Sequence, residues 1–399
     1  MLLVLLTSML VTLLFWRMLP APLQTNDNSD YTRFYEPVAR NLLAGHGLVT
    51  PDGSPALRYP PGYPLMLAGI FGLSQRLNIP EQTVLAAFIL LCTGLAAMFV
   101  YLLARSVWGA VPALISALIW ITYPFALWLA KQPTSETPFM VVLYAGIYLF
   151  WYALLRKNRA WAVYFLAGCL IGCAMLIRPI ALGMVCVLGA LFWFAGRELA
   201  GRLRLLLVTM LLLGNVVVIF PWEAWVYTTT GRLFLLSTGG APDISYGLQF
   251  ALPQGCRQSQ EVTVSQDVMV LMQDIRSRFG GFLSDVALGD LVSFLIEAFR
   301  TCPLTVVKLF SMKIVRSWYG SECHRFETPI MLIQAVYLAL ILWGSRAAWK
   351  RGAIPQQLVI GVWLVVLYFW GMTVLAQSTL RYMVPGMGLL FVLVPGSLA

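Results

Sequence analysis

The sequence predicts an all-α polytopic membrane protein of about ten transmembrane helices with external amphipathic helices. Three observations carry that prediction. Hydrophobic residues make up 60% of the 399 residues and charged residues 11%, against roughly 25% charged in an ordinary soluble domain, and the mean hydropathy is +0.79. Separate apolar runs close to the roughly 20 residues that cross a bilayer recur along the chain. Lys and Arg gather in short clusters between those runs, which is the topology signal of a chain that crosses repeatedly.

The formal charge of +10 therefore describes loops of a membrane protein. No basic face with interleaved aromatics marks a soluble nucleic-acid-binding module, so membrane lipids are expected as partners and nucleic acid is not. Four of the seven cysteines (Cys92, Cys169, Cys173, Cys186) lie inside apolar runs and read as small buried hydrophobes. The other three, Cys256, Cys302 and Cys323, fall in polar segments, where one disulfide can form in an oxidising compartment.

Taken in order, residues 1–19 form an apolar run with no basic start and no small-residue cleavage site, so an uncleaved first span is expected rather than a signal peptide. Further spans are expected at about 81–104, 109–129, 137–155, 160–177, 180–196, 205–222, 330–345, 354–376 and 383–399. One side of the resulting topology carries Arg105, then Arg156, Lys157 and Arg159, then Arg197, Arg202 and Arg204, then Arg346, Lys350 and Arg351. The short connections of the other side carry only Lys131, Arg178 and Arg381. The first set is cytoplasmic by the positive-inside rule, which puts both termini inside. Of the 17 acids only Glu198 then faces the cytoplasm. The chain reads as one membrane domain over 1–399, with a first extracytoplasmic loop at 20–80 and a second large one at 223–329.

Within the first loop, Pro37 lacks an amide and clashes with the preceding turn, so irregular chain is expected from Asp30 to Tyr35, then a short helix ending near Gly45. Val38, Leu42, Ala39 and Leu43 form its expected membrane-facing stripe. Residues 63–73 are too short to span and are expected at the interface. In the second loop, Leu288–Tyr319 alternates Lys308, Lys313 and Arg316 with apolar residues, the pattern of a helix lying in the membrane surface.

The span centres lack the ionisable residues that ion-coupled transport requires, and the chemistry-bearing side chains gather at the outer face. Asp30 fits a solvated loop acid or turn cap, or a general base. Arg58, before the rigid Pro60–Pro61–Gly62 turn, fits a snorkelling anchor or a phosphate-gripping fork. Glu136 opens a span, where the helix dipole favours an acid; Arg178, Arg381 and Lys131 are single cations at outer helix ends. His46, between two glycines, reads as structural, and His324 has no partner at metal-ligand spacing. Acids facing a phosphate can bind Mg²⁺ or Mn²⁺, but no dedicated ligand cluster marks a metal site.

Asp30, Tyr35, Ala39–Arg40–Asn41–Leu42, Gly45–His46–Gly47 and Arg58–Tyr59–Pro60–Pro61–Gly62–Tyr63–Pro64 resemble the first external loop of polytopic GT-C glycosyltransferases. The branch is the one that includes the dolichyl-phosphate-mannose protein mannosyltransferases and the bacterial lipid A aminoarabinose transferase. Ser135–Glu136, Leu176–Ile177–Arg178–Pro179, Pro221–Trp222 before Gly231, and Arg381–Tyr382 with Pro385 follow in that family's order.

The resemblance implies a GT-C-like arrangement of the helices. It also implies an inverting transfer of sugar from a polyprenyl-phosphate-linked donor to a lipid, glycan or protein acceptor, on the extracytoplasmic side of the plasma (inner) membrane. In it Asp30 acts as base, Glu136 positions acceptor or sugar, and Arg58 holds the donor phosphate, with Arg178, Arg381 and Lys131 as further phosphate cations. The family's commoner spacing puts the loop acid four residues before the tyrosine, where this chain has Tyr31, so Asp27 competes with Asp30. The chain also ends in LLFVLVPGSLA, without the large external part some members use to choose acceptors. A lipid or small glycan acceptor, or a reduced non-catalytic relative, is the corresponding expectation. The rival from another class is a carrier or flippase for lipid-linked saccharides, against which the clean span centres count.

Overall fold

A computed structural model describes residues 1–24, 28–232, 234–253, 262–281 and 284–397; Asp27 and Cys256 lie outside them. Among the described residues the regular elements are helices, with one isolated bridge between Val49 and Pro55. In chain order they are α1 (Leu2–Met18), α2 (Glu36–Leu43), α3 (Gly62–Leu77), α4 (Glu81–Trp108), α5 (Ala110–Ile121), α6 (Pro124–Leu129), α7 (Glu136–Leu155), α8 (Trp161–Ile177), α9 (Met184–Ala195), α10 (Gly201–Thr230), α11 (Gly240–Leu248), α12 (Gln266–Phe279), α13 (Leu288–Thr301), α14 (Pro303–Arg316), α15 (Glu327–Trp349), α16 (Ala353–Leu375) and α17 (Leu380–Leu390).

Among the described residues six helical stretches are long and apolar enough to cross a membrane: Glu81–Trp108, Glu136–Leu155, Gly201–Thr230, Glu327–Trp349, Ala353–Leu375 and Leu380–Ser397. The other four expected spans are shorter apolar helices, at Leu2–Met18, Ala110–Ile121, Trp161–Ile177 and Pro179–Ala195. This is a multi-pass membrane protein. Proline accounts for part of the shortening. Tyr123, just before Pro124, is extended at φ −67° and ψ 112°, as the residue preceding a proline prefers, and the expected span 109–129 breaks there into α5 and α6.

Two other expectations are corrected by the same chemistry. Asp30–Tyr35 is not irregular: Tyr31–Tyr35 forms a π-helical turn that runs straight into α2. The Glu36 N–H donates to Tyr31 O, five residues back, so the helix widens just ahead of Pro37 instead of ending. Leu288–Tyr319 is likewise two helices, α13 and α14, parted at Cys302 before Pro303. Nor do Val38 and Ala39 face lipid; both are fully buried inside the protein.

The chain packs as two compact units. The first comprises Met1–Ser237, Trp343–Val365 and Gly388–Ala399, the second Thr238–Leu342 and Val366–Met387. In the first, α8 and α10 run side by side in the same direction, and glycines bring their backbones together. A Cβ on Gly168 would stand 2.0 Å from Leu211 O, and one on Gly214 would stand 2.0 Å from Phe165 O. Small residues at such crossings replace the hydrophobic driving force that lipid does not supply. Gly168→Leu is accordingly expected to cost at least about 1–3 kcal/mol by overpacking, read as a lower Tm in detergent, whereas Gly69→Leu, with nothing within 4 Å of its Cβ position, leaves Tm nearly unchanged. In the second unit, α11 to α14 bury a cluster that includes Leu248, Val268, Met272, Leu291 and Leu309.

Candidate active site

The start of α7, the end of α8 and the first loop meet in the first unit. The loop contributes Asp30 at the head of the π-helical turn, where its N–H donates to Asn28 Oδ1 at 3.2 Å. Asn28 in turn donates from Nδ2 to Pro133 O at 2.9 Å, tying the loop to the segment that opens α7. The Tyr59 hydroxyl donates to Asp30 Oδ1 at 3.1 Å. Arg58 lies over the Tyr59 ring, 5.7 Å from its centroid, so the acid and the cation expected to face a donor are set by adjacent residues of one turn.

That turn is held against α8. A Cβ on Gly62 would meet Leu176 O at 2.6 Å, so only glycine lets the Pro60–Pro61–Gly62 turn lie on the last residues before Arg178. Rings fill the space above it: Tyr35 sits 5.1 Å from Tyr59 and 5.0 Å from Tyr63, the latter edge-on. Tyr35 is buried; burial first, then the charge of Asp30, holds its phenol far above the usual range, so it stays protonated at all physiological pH. Ser135, beside its hydroxyl, pulls in the opposite direction but does not offset the burial.

Glu136 and Arg178 come together. Arg178 Nη1 lies 2.7 Å from Glu136 Oε2, with side-chain exposures of 11% and 1%, and also donates to Ser135 Oγ at 2.9 Å. The pair joins the start of α7 to the end of α8, and Glu136 is withdrawn from solvent. Asp30, Tyr59, Tyr35, Ser135, Glu136 and Arg178 thus form one continuous array. Lys131 lies just outside it, its Nζ donating to Leu23 O at 2.8 Å and resting 4.4 Å from the Trp128 ring centroid.

Arg381 belongs to the second unit, where its Nη1 donates to Glu322 Oε1 at 2.8 Å. In the same unit Lys313 and Arg316, expected on a membrane surface, are buried. Lys313 Nζ donates to Ala376 O at 2.8 Å; burial, with the Arg316 charge beside it, pushes its ammonium down to about 7. Arg316 Nη2 reaches Ser321 O at 2.8 Å, His324 Nδ1 at 2.8 Å and Glu327 Oε1 at 2.6 Å. His324 is part of this charged cluster, and its Nε2 lies 2.8 Å from Phe250 O. The only sequence signal for it was two cations at i and i+3 on an otherwise apolar helix. Cys323 is disulfide-bonded and Cys302 is free. Among the described residues no three His, Cys, Asp or Glu side chains are grouped to hold a metal ion.

Residues 59–225 match the family model described as dolichyl-phosphate-mannose-protein mannosyltransferase. The matched stretch takes in Tyr59, Lys131, Glu136 and Arg178, and stops short of Asp30, Arg58 and Arg381. No curated protein sequence matches the chain. By structure the chain is similar to the archaeal oligosaccharyltransferase AglB from Archaeoglobus fulgidus, solved in complex with an inhibitory peptide and a dolichol-phosphate, at 14% identity and a TM-score of 0.54 over 99% of this chain and 50% of that one. It is similar too to an Archaeoglobus fulgidus oligosaccharyltransferase tethered by a disulfide to an acceptor peptide containing the NVT sequon, at 13% identity and a TM-score of 0.53, over 99% of this chain and 49% of that one. The chain spans about half the length of the solved structures it matches. The expected all-helical GT-C-like fold is thereby borne out: the chain has the fold of these oligosaccharyltransferases along 99% of its length and, over residues 59–225, the sequence pattern of the dolichyl-phosphate-mannose-protein mannosyltransferases.

Proposed function

We propose that this protein is a membrane glycosyltransferase that moves a sugar from a polyprenyl-phosphate-linked donor to a lipid, glycan or protein acceptor at the extracytoplasmic face of the plasma (inner) membrane. The observation that carries the reading is the Tyr59–Asp30 hydrogen bond at 3.1 Å, which sets a partly exposed carboxylate beside the Arg58 turn at the edge of the mannosyltransferase-like stretch. The charge asymmetry of the loops supports the outward orientation, and the disulfide at Cys323 fits an oxidising compartment.

In this reading Asp30 removes the proton from the acceptor hydroxyl as its oxygen attacks the anomeric carbon. The glycosyl–phosphate bond breaks on the opposite face, so configuration inverts, and the bonding electrons leave with the polyprenyl phosphate. Charge grows on that phosphate as it departs, and cations already in place lower the barrier. Arg58 is the first of them, with Lys131 and Arg178 as further phosphate cations of the first unit; Arg381 carries the same assignment within the second unit. Glu136, closed off behind Arg178, acts as a positioning residue: it aims Arg178, and Arg178 in turn holds Ser135.

The test supplies purified protein in lipid with a pool of labelled polyprenyl-phosphate sugars and membrane acceptors. Label is expected in an acceptor, with release of polyprenyl phosphate. Movement of intact donor across sealed vesicles without transfer would instead identify a carrier.

A further inference from the structure

Arg381 is one of the cations proposed to hold a lipid phosphate, and the role of its partner Glu322 rests on that reading. The guanidinium already has an anion: Nη1 donates to Glu322 Oε1 at 2.8 Å, with side-chain exposures of 18% for Arg381 and 60% for Glu322. An arginine takes carboxylate and phosphate oxygens with the same donors in the same plane. Glu322 therefore occupies a guanidinium donor that a phosphate oxygen can also take.

An acid this exposed would ordinarily wander, but both sides of this contact are tied down. The Leu380 N–H donates to Gly320 O at 2.8 Å, fixing the start of α17 to the segment that carries Glu322. That segment is secured in turn by Arg316 Nη2 on Ser321 O at 2.8 Å, by the Ser321 N–H on Glu327 Oε1 at 2.9 Å and by the disulfide at Cys323. It also holds two non-glycine residues in the left-handed region, His324 at φ 58° and Phe326 at φ 60°. Such a backbone persists only where its surroundings over-determine it. On the side of Arg381, Ser378 O is clasped by Arg316 Nη1 at 3.3 Å and Ala376 O by Lys313 Nζ at 2.8 Å.

We infer that Glu322 is a built-in competitor for phosphate at Arg381: it covers the cation between turnovers, yields to the phosphate of the lipid carrier, and returns to help expel the polyprenyl monophosphate product. The chemistry asks for such a device. A donor phosphodiester carries one negative charge and the product monoester approaches two near neutrality. A cation that welcomes the donor thus grips the product harder, and a tethered carboxylate offsets that excess without weakening the pocket's geometry.

The experiment measures binding of geranyl phosphate, a short-chain polyprenyl monophosphate, to the full-length protein in lipid nanodiscs, alongside its inhibition of sugar transfer. Glu322→Gln, which keeps the size and an acceptor oxygen for Arg381, is expected to bind geranyl phosphate roughly threefold to tenfold more tightly than wild type, in the range of a partly exposed charge pair. Product inhibition should deepen by the same factor. Glu322→Asp is expected close to wild type, and the Glu322→Gln/Arg381→Gln double variant should lose the gain, which separates competition from a general loosening of the loop. Equal or weaker binding in Glu322→Gln, with wild type binding the probe and transferring sugar, overturns the inference alone. If wild type binds no geranyl phosphate, the lipid-phosphate reading of Arg381 falls and the inference with it.

Discussion

Asp30→Asn is expected to lower kcat by about 10²–10⁴-fold, the range for loss of a positioned general base, while leaving donor affinity within about twofold of wild type. The substitution is close to isosteric. The amide oxygen it introduces would still accept the Tyr59 hydroxyl, the backbone N–H would still reach Asn28, and no cation assigned to the donor phosphate is touched. Only the capacity to take a proton disappears. Paired measurements of kcat and of donor Kd on the two proteins read the split directly. A rate drop confined to KM would make Asp30 a binding residue, and an unchanged rate would move the base elsewhere in the first loop, with Asp27 next in line.

Glu136→Ala is expected to destabilise the protein by about 3–5 kcal/mol, because it leaves the Arg178 guanidinium in a largely buried position with no countercharge. The fall in Tm should shrink for Glu136→Gln, which keeps an acceptor for Arg178, and shrink further for the Glu136→Leu/Arg178→Met pair, where no uncompensated charge remains. Catalysis is expected to follow a different order. The apolar pair removes the contact to Ser135 at 2.9 Å and with it the Arg178 cation proposed to face the donor phosphate, so it should be stable yet poorly active. A double-mutant cycle on Tm and on kcat/KM separates the two roles, and equal losses in both quantities across the series would reduce the pair to a purely structural one.

The apolar runs announced themselves because crossing a bilayer imposes a length and a composition that nothing else in the chain satisfies. Residues that act through neighbours in sequence were nearly as legible: the Arg58–Tyr59 turn, with Pro60, Pro61 and Gly62 behind it, sits where its stiffness requires. Contacts that close over long separations were not. Glu136 reads as a helix-start acid until Arg178, brought in by the packing of α7 on α8, buries it. Lys313 and Arg316 show a surface helix's pattern because an apolar neighbour looks the same in sequence whether the cation beside it meets water or the carbonyls of Ala376 and Ser378, some 60 residues on. The π-helical turn was hidden for a related reason. A proline excludes one hydrogen bond, and the chain had two ways to do without it.

The glycine contact between α8 and α10 has a consequence for kinetics. With Gly168 and Gly172 seated on the backbone of α10, α8 cannot roll about its own axis, and Arg178 lies only six residues beyond Gly172, about 9 Å along the helix at 1.5 Å per residue. A roll of about 10° at that joint would swing the guanidinium by roughly 1 Å, a displacement that can cost on the order of 10²-fold in rate. The bearing of this lever is the buried contact between two helices and its tip is among the charges. Slow variants of this protein should therefore arise at buried glycines that touch nothing in the reacting array.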